Sequence, residues 1–260
     1  MVPAKPQTAA LAVLLLLAAC SGRSPAGGAE GADPAAQEAT YLTPPRVEAV
    51  RSGPGGLVLA GAAPAGGQIR LATPTGQATF APVDARGRWA LALPPADAPR
   101  IFGLSVSVGR RQAQAEGYVL VTPAGQAALL RAGAGALRID PPARPGLRTV
   151  DFDRAGGMEI SAAASPGATV ILRLDGRQAA EGRAGPDGRY HASLGSPTPI
   201  KPGAHEVQVF GDGFSDQATV QVSPAEPLAA GPLRSQLTPA GLRVDWMTPG
   251  GGVQSTVLVH

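Results

Sequence analysis

The chain has 260 residues, of which 35 are glycine and 27 are proline, while aromatic residues make up 4% and charged residues 16%. Because Gly and Pro are the two poorest helix formers, this composition excludes long helices and coiled coils. With 44% apolar residues, the chain is also not a charged disordered polymer. Its net charge of +3, with arginines scattered along the chain, offers no basic stripe for nucleic acid, and its single cysteine excludes an internal disulfide. The composition therefore predicts a turn-rich β protein built of small domains.

The N-terminus has the layout of a signal peptide. Lys5 precedes an apolar run over 9–19 that is too short to span a bilayer. The run leads into Leu17, Ala18, Ala19 and Cys20, the only cysteine of the chain. This motif resembles the lipobox of bacterial lipoproteins. The resemblance implies cleavage before Cys20, its modification with acyl chains such as palmitate, and anchoring in a membrane by several chains.

The residue after the cysteine is Ser21. In the lipoprotein family an Asp at this place retains the protein in the inner membrane, so Ser implies the outer membrane, facing the periplasm. Residues 20–44 are mostly small and polar without apolar periodicity, which predicts a flexible tether with a reach of about 27 Å. The alternative is an ordinary secretory signal with a chance cysteine after the cut.

The chain contains an internal repeat with a period of 101 residues. Shifting by this period places Gly87-Arg88-Trp89 on Gly188-Arg189-Tyr190 and Val106 and Val108 on Val207 and Val209. Residues 136–140 also resemble residues 241–245, at a shift of 105. The sequence therefore predicts two copies of one unit of about 100 residues, a common domain size.

The second copy alternates between short strand patterns and turn signals. Strands are predicted over 158–160, 168–174, 178–182, 189–194, 205–210 and 218–222. Asp175-Gly176 is a strong hairpin signal between two of them. Six or seven short strands with turns every 8–12 residues predict an antiparallel sandwich. Only residues 126–131, between the copies, suggest a helical turn.

The tail predicts a further hairpin. Strand patterns over 242–246 and 253–259 flank a Gly-rich turn. Because an isolated hairpin is marginal in water, we expect it to add to the second sandwich or to pack against it through Trp246.

Several turn motifs of the second copy resemble a bacterial immunoglobulin-like domain. They lie at 165–170, 174–176, 186–190 and 202–207, and the first copy follows them more loosely over 57–121. The resemblance implies binding, spacer or adhesion modules without a shared active site. The predicted organisation is a lipoprotein signal peptide over 1–19, the acylated cysteine and tether over 20–44, an immunoglobulin-like domain with linker over 45–144, a second such domain over 145–225, and a linker with β-hairpin over 226–260.

The candidate binding aromatics are Trp89 and Trp246. Trp89 and its counterpart Tyr190 each follow a Gly-Arg turn, and they would be either exposed rings that stack on sugars or core residues. The core interpretation is favoured because large side chains supply most of the core volume in a chain with so few aromatics.

No set of residues predicts catalysis, a cofactor or a metal site. His191 and His205 lie near serines, but the chain has no G-x-S-x-G elbow, and neither histidine has an evident carboxylate partner. Asp151, Asp153, Asp212 and Asp216 could offer oxygens to Ca²⁺ at domain junctions, or they are solvated turn residues.

The predicted function is that of a non-catalytic, lipid-anchored cell-envelope protein that acts as a structural or protein-interaction module. The alternative is a carbohydrate- or peptidoglycan-binding lipoprotein. The implied partners are the membrane, through the lipid anchor, and an envelope protein or peptidoglycan, but no nucleic acid.

Overall fold

A computed structural model describes residues 41–53, 55–142 and 144–260. The predicted signal peptide, the lipobox with Cys20 and nearly all of the tether lie outside the described residues. Within the described ranges all regular secondary structure is β, and no helix there is long and apolar enough to cross a bilayer.

Among the described residues, nine strands belong to the first half of the chain: β1 Arg46–Gly53, β2 Gly56–Ala62, β3 Gln68–Ala72, β4 Ala78–Pro82, β5 Arg88–Leu93, β6 Arg100–Val108, β7 Arg111–Val121, β8 Ala127–Leu130 and β9 Leu137–Arg138. Ten belong to the second half: β10 Gly146–Phe152, β11 Met158–Ala163, β12 Thr169–Leu174, β13 Arg177–Arg183, β14 Arg189–Leu194, β15 Gly203–Gly211, β16 Phe214–Val222, β17 Leu233–Thr238, β18 Gly241–Met247 and β19 Val253–Val259.

The strands form four antiparallel sheets, which we name A to D. Sheet A has the order β1-β2-β5 and sheet B the order β4-β3-β6-β7-β8-β9. Sheet C has the order β14-β11-β10-β19-β18-β17 and sheet D the order β13-β12-β15-β16. The first seven strands of each copy are therefore paired in the same way, and β5 and β14 are offset by the sequence period of 101.

Each copy encloses its own apolar core between two sheets. In β5 the side chains alternate regularly, so that Trp89, Leu91 and Leu93 are buried while Arg88 faces solvent. These residues join Leu59, Ile69 and Val106 in the core between sheets A and B. An equivalent core between sheets C and D contains Tyr190 and the paired valines of β15.

A third core joins the two copies. Leu120 and Leu130, on the outer face of sheet B, pack with Val244, Trp246 and Leu258 on the outer face of sheet C. The order of layers is thus A, B, C, D. Because sheet C is covered on both faces, β19 is buried from Gln254 to Val259 rather than on alternate residues.

The tail joins the fold as three strands. β19 pairs with β10, so the predicted hairpin of β18 and β19 extends sheet C of the second copy, and β17 adds a third strand. Trp246 faces the first copy, which the sequence analysis did not anticipate. Residues 136–140 and 241–245, which are similar in sequence, are placed differently, because β9 pairs only with β8 whereas β18 lies between β17 and β19.

The helical turn suggested for residues 126–131 is wrong. This segment is strand β8, which pairs with β7 and β9. Ala127 faces the core of the first copy, whereas Ala128 and Leu130 face the third core. Its small apolar side chains fill two cores at once, which hides the alternation that marks a strand.

Candidate clefts between the stacked sheets

Trp246 is the largest fully buried side chain in the third core. Its indole Nε1 donates to Thr256 Oγ1 at 3.1 Å, so its one polar atom is satisfied. The ring of Tyr118, on the first copy, meets it edge to face with centroids 6.1 Å apart and planes at 86°. The geometry is the preferred one for aromatic pairs and links the two copies directly.

A buried polar cluster lies next to this core. Asp151 accepts a hydrogen bond from the backbone N–H of Ala136 at 2.8 Å and another from the Thr256 hydroxyl. Thr149 Oγ1 donates to the Ala136 carbonyl at 3.2 Å and lies 2.7 Å from Ser161 Oγ. Burial raises the pKa of Asp151 to about 6, although its hydrogen bonds oppose the shift. This cluster ties the segment after β8 to sheet C.

A second polar cluster joins the three tail strands to one another. Asp245 accepts from Arg234 Nη2 at 2.6 Å, Arg243 Nε at 2.8 Å and Ser255 Oγ at 2.7 Å. Burial opposes ionisation, but these hydrogen bonds outweigh it and hold the pKa of Asp245 below its usual value. Arg243 also lies over the Phe152 ring, 5.1 Å from its centroid. Hydrogen bonds among the tail strands and this contact with Phe152 therefore hold the tail against the second copy.

A cleft of about 700 Å³ opens where the tail hairpin meets the first copy, and we call it the hairpin cleft. One wall is formed by β6 and β7, and the other by the turn between β18 and β19. Its polar lining includes Arg70, Ser105, Gln112, Gln114, Tyr118 and Thr248, and it also contains the hydroxyl of Thr73 and the carboxylate of Glu116. A few polar groups around an apolar floor are typical of small-ligand clefts.

A polar row leads from this cleft across the uncovered half of sheet B. Strand register places Phe80 opposite Arg70, Arg70 opposite Ser105, and Ser105 opposite Gln114. Directly paired residues of antiparallel strands share a face. Phe80 is 54% exposed although it is apolar, so the row ends in an uncovered ring.

The predicted binding aromatics lie in cores. Trp89 is 3% exposed and Trp246 is fully buried, and Tyr190 is buried as well. The indole Nε1 of Trp89 has no hydrogen-bond partner among the residues that the structure describes. Neither indole offers a face to solvent on which a sugar could stack. Tyr118, which the sequence analysis did not single out, lines the hairpin cleft together with Phe102 and Trp246 and is the one of the three that is not buried. No sequence signal distinguishes it, because its exposure depends on where the tail packs.

The acidic residues considered for calcium do not converge. Asp151 is buried in its own cluster, and Asp153 Oδ1 accepts from the backbone N–H of Gly157 at 3.0 Å. Asp216 accepts from Arg144 Nη2 and from the backbone N–H of Leu147, each at 2.9 Å. Over residues 41–53, 55–142 and 144–260, no three His, Cys, Asp or Glu residues are grouped so as to hold a metal ion.

Both histidines have a carboxylate partner, contrary to the sequence analysis. His191 Nε2 lies 3.0 Å from Glu159 Oε2, and His205 Nδ1 lies 2.8 Å from Asp175 Oδ2. These pairs are formed across strands and turns, so no local motif marks them. Ser193 donates to Glu159 at 2.6 Å rather than to a histidine. In the described part of the chain the Ser–His contact of a hydrolase is therefore not assembled.

No protein-family model matches the chain, and no curated protein matches it. Among solved structures it is similar to the BSP domain of a biofilm-associated protein, with 13% identity and a TM-score of 0.25 over 74% of this chain and 32% of that one. It is also similar to a Ca²⁺-stabilized adhesin that helps an Antarctic bacterium bind ice, with 12% identity and a TM-score of 0.23 over 84% of this chain and 66% of that one.

A third similar structure concerns a 1.5-MDa bacterial ice-binding adhesin and its retention at the host cell surface. It has 14% identity and a TM-score of 0.25, over 84% of this chain and 88% of that one. The chain spans less than two thirds of the first two proteins. At these identities and TM-scores the similarities carry no argument about function.

Proposed function

We propose that this protein is a lipid-anchored, non-catalytic module of the bacterial cell envelope that presents a rigid surface to a partner. The observation that carries this proposal is the third core, in which Trp246, Leu120 and Leu258 join the two copies. Tandem domains joined only by a linker move relative to each other, whereas a buried apolar interface holds them in one orientation. A rigid body at the end of a tether suits a spacer or a docking platform.

The strand order supports assignment of each copy to the immunoglobulin-like sandwiches. Seven strands divide into a sheet of three and a sheet of four, with the first, second and fifth strands together. The arrangement departs from the constant-type domain because the fourth strand pairs with the third. Proteins of this architecture carry many unrelated functions, so the fold supports a module without naming its partner.

The anchor is proposed from the sequence. Cys20 follows Leu17-Ala18-Ala19, and residues 21–44 provide the tether. Replacement Cys20→Ser should leave an unprocessed precursor without acyl chains, whereas Ser21→Ala should be processed normally. Ser21→Asp should move the protein from the outer to the inner membrane. Membrane fractionation and mass spectrometry of the N-terminus measure all three, and normal processing of Cys20→Ser would refute the anchor.

Rigidity is tested by distance measurements between the copies. Spin labels at Gln77 and Gln178, both exposed and in different copies, should give one narrow distance distribution in a soluble chain that starts at Ser21. The same labels in a Trp246→Ala variant should give a broader distribution. A distribution that is already broad in the unaltered protein would refute the rigid module.

The hairpin cleft favours a second candidate function, carbohydrate or peptidoglycan binding. Gln112 and Gln114 are exposed along β7 and Tyr118 lies farther along the same strand. Amide groups bind sugar hydroxyls in both directions, as donors and as acceptors. Purified peptidoglycan should then retain the protein, and Gln112→Ala with Gln114→Ala should reduce retention. Gln178→Ala, on the far sheet, is the matched control, and equal retention of all variants would refute this role of the cleft.

A further inference from the structure

A second cleft, of about 660 Å³, lies between the two copies and has a different chemistry. Its walls come from β1, from residues 136–142, from the end of β11 and from the turn before β14. We call it the basic cleft because five arginines line it against three carboxylates. The arginines are Arg51, Arg131, Arg138, Arg148 and Arg189, and the carboxylates belong to Glu48, Asp140 and Asp187.

One carboxylate serves two arginines at the base of the cleft. Arg138 Nε donates to Asp140 Oδ1 at 2.7 Å, and its Nη2 bonds the other oxygen. Arg148 Nη2 donates to the Asp140 carbonyl at 2.6 Å and to Asp140 Oδ2 at 3.3 Å. The side chains of Arg138 and Arg148 are 6% and 15% exposed. Two buried cations therefore share a single anion, and buried charges are costly unless they are paired.

Other groups at the cleft add to the positive charge. Arg189 Nη2 donates to the Arg138 carbonyl at 3.3 Å, which brings a third guanidinium to the same place. Burial, followed by the nearby Arg138 charge, lowers the pKa of Arg148. Of the other two carboxylates, Asp187 is exposed and lies 3.7 Å from Arg189, whose charge it partly offsets, and Glu48 lies 3.6 Å from Arg88, which does not line the cleft. The field inside the cleft thus favours an added anion.

Most of the remaining lining is apolar, and Ser161, Tyr190 and His191 are its polar members. It includes Pro141, Pro142, Pro166 and Pro186, with residues 162–164. Rings and methyl groups of this kind can pack against small side chains without hydrogen-bonding to them. The planar donors of arginine match a carboxylate in two-point contact. A short peptide segment with a carboxylate beside small, apolar side chains satisfies both parts.

We propose that the basic cleft binds a carboxylate-bearing peptide segment of a partner protein. The hydrogen bonds that Arg148 makes to described residues use only Nη2, and Arg189 uses Nη2 on the Arg138 carbonyl and has Nε beside Asp187. Nε and Nη1 of Arg148 and Nη1 of Arg189 are therefore the donors assigned to the ligand carboxylate. Arg51 on β1 is exposed and lies on the opposite wall, where it attracts the ligand's charge. Alanine or similarly small side chains of the ligand pack on the prolines of the lining. This inference does not depend on sugar binding in the hairpin cleft.

Calorimetry on the purified mature protein in detergent tests the proposal. The probe is an N-acetylated Ala-Glu-Ala peptide with a free C-terminus, compared with the Ala-Gln-Ala amide and with inorganic phosphate. The acidic peptide should bind, and binding should weaken at high salt. Arg51→Gln and Arg189→Gln, both at exposed positions, should each weaken it about fivefold. Arg177→Gln, an identical charge change on sheet D, should leave affinity within about twofold.

Three results would overturn the proposal. The first is equal binding of the acidic peptide and the amide, or binding of neither, which would show that the carboxylate has no role. Phosphate could bind as well as the peptide, which makes the cleft a general anion site. Arg177→Gln could weaken binding as much as Arg189→Gln, which shows that only net charge matters. Thermal unfolding of each variant should match that of the unaltered protein, so that lost binding is not lost folding.

Discussion

Replacing Trp246 with alanine should weaken the coupling between the two copies, so that they no longer unfold together. The indole is fully buried between sheets B and C, with its N–H bonded to Thr256 and its edge against Tyr118. Removing a buried Trp side chain costs about 3–5 kcal/mol, which includes the cavity left behind. Because the total stability of a domain is about 5–15 kcal/mol, this loss is a large fraction of it.

Scanning calorimetry and urea unfolding of the soluble chain measure this effect. The unaltered protein should unfold in one transition, because the third core couples the copies. Trp246→Ala should lower the free energy of unfolding by about 3–5 kcal/mol and split the transition in two. Fluorescence of Trp89, the remaining indole, then reports the first copy alone.

Trp89→Ala is the matched control. It removes the same side chain from the core between sheets A and B, which the second copy does not enter. It should destabilise the first copy by a similar amount while the third core stays intact. The reasoning is refuted if Trp246→Ala costs less than about 1 kcal/mol, or if Trp89→Ala separates the transitions and Trp246→Ala does not.

Three further substitutions test local parts of the structure. Burial raises the pKa of Asp151 from 3.8 to about 6, so the contribution of this group to stability is fully present below pH 3.8 and falls by about 3 kcal/mol as the pH rises through 6. Asp151→Asn should remove this pH-dependent loss of stability in urea unfolding. A pH profile unchanged by the substitution would contradict the assignment of the loss to Asp151. Burial lowers the pKa of His205, but its hydrogen bonds to Asp175 and to the Lys201 carbonyl, together with the Asp175 charge, outweigh burial and raise it. The stabilisation is therefore present below pH 6.5 and is lost as the pH rises through the raised pKa. Asp175→Asn should therefore lower the pKa of His205 in an NMR titration. An unchanged pKa would show that the contact with Asp175 does not raise it. Gly176 has φ of +76° and Asp175 before it has +51°. Gly176→Ala should therefore cost about 1 kcal/mol in thermal unfolding, although no atom of the described residues lies within 4 Å of the added methyl; no loss of stability would refute the strained turn.

Local signals in the sequence predicted much of each copy. The alternation of residues 189–194 predicted β14 with the bounds that the structure has. Asp175-Gly176 predicted a tight hairpin, and both residues have the positive φ that such a turn requires. These features depend only on neighbours in the chain, so periodicity and turn chemistry were enough to find them.

Strands that are covered on both faces were harder to predict from the sequence. No prediction was made for β10, although Val150 and Phe152 face one core while Thr149 and Asp151 face the buried cluster. Residues 126–131 suggested a helical turn for the same reason. Two-sided burial removes the apolar-polar alternation on which the prediction of a strand relies.

By itself the sequence determined the all-β class, the 101-residue repeat and the hairpins, because strand period and glycine-containing turns are properties of short segments. Only the tertiary structure decided that the tail strands extend sheet C, that Trp246 faces the other copy, and that Arg138, Asp140 and Arg148 meet at one cleft. Each of these depends on contacts between residues far apart in the chain. Such contacts are selected by how the sheet faces fit together, and no local pattern encodes that fit.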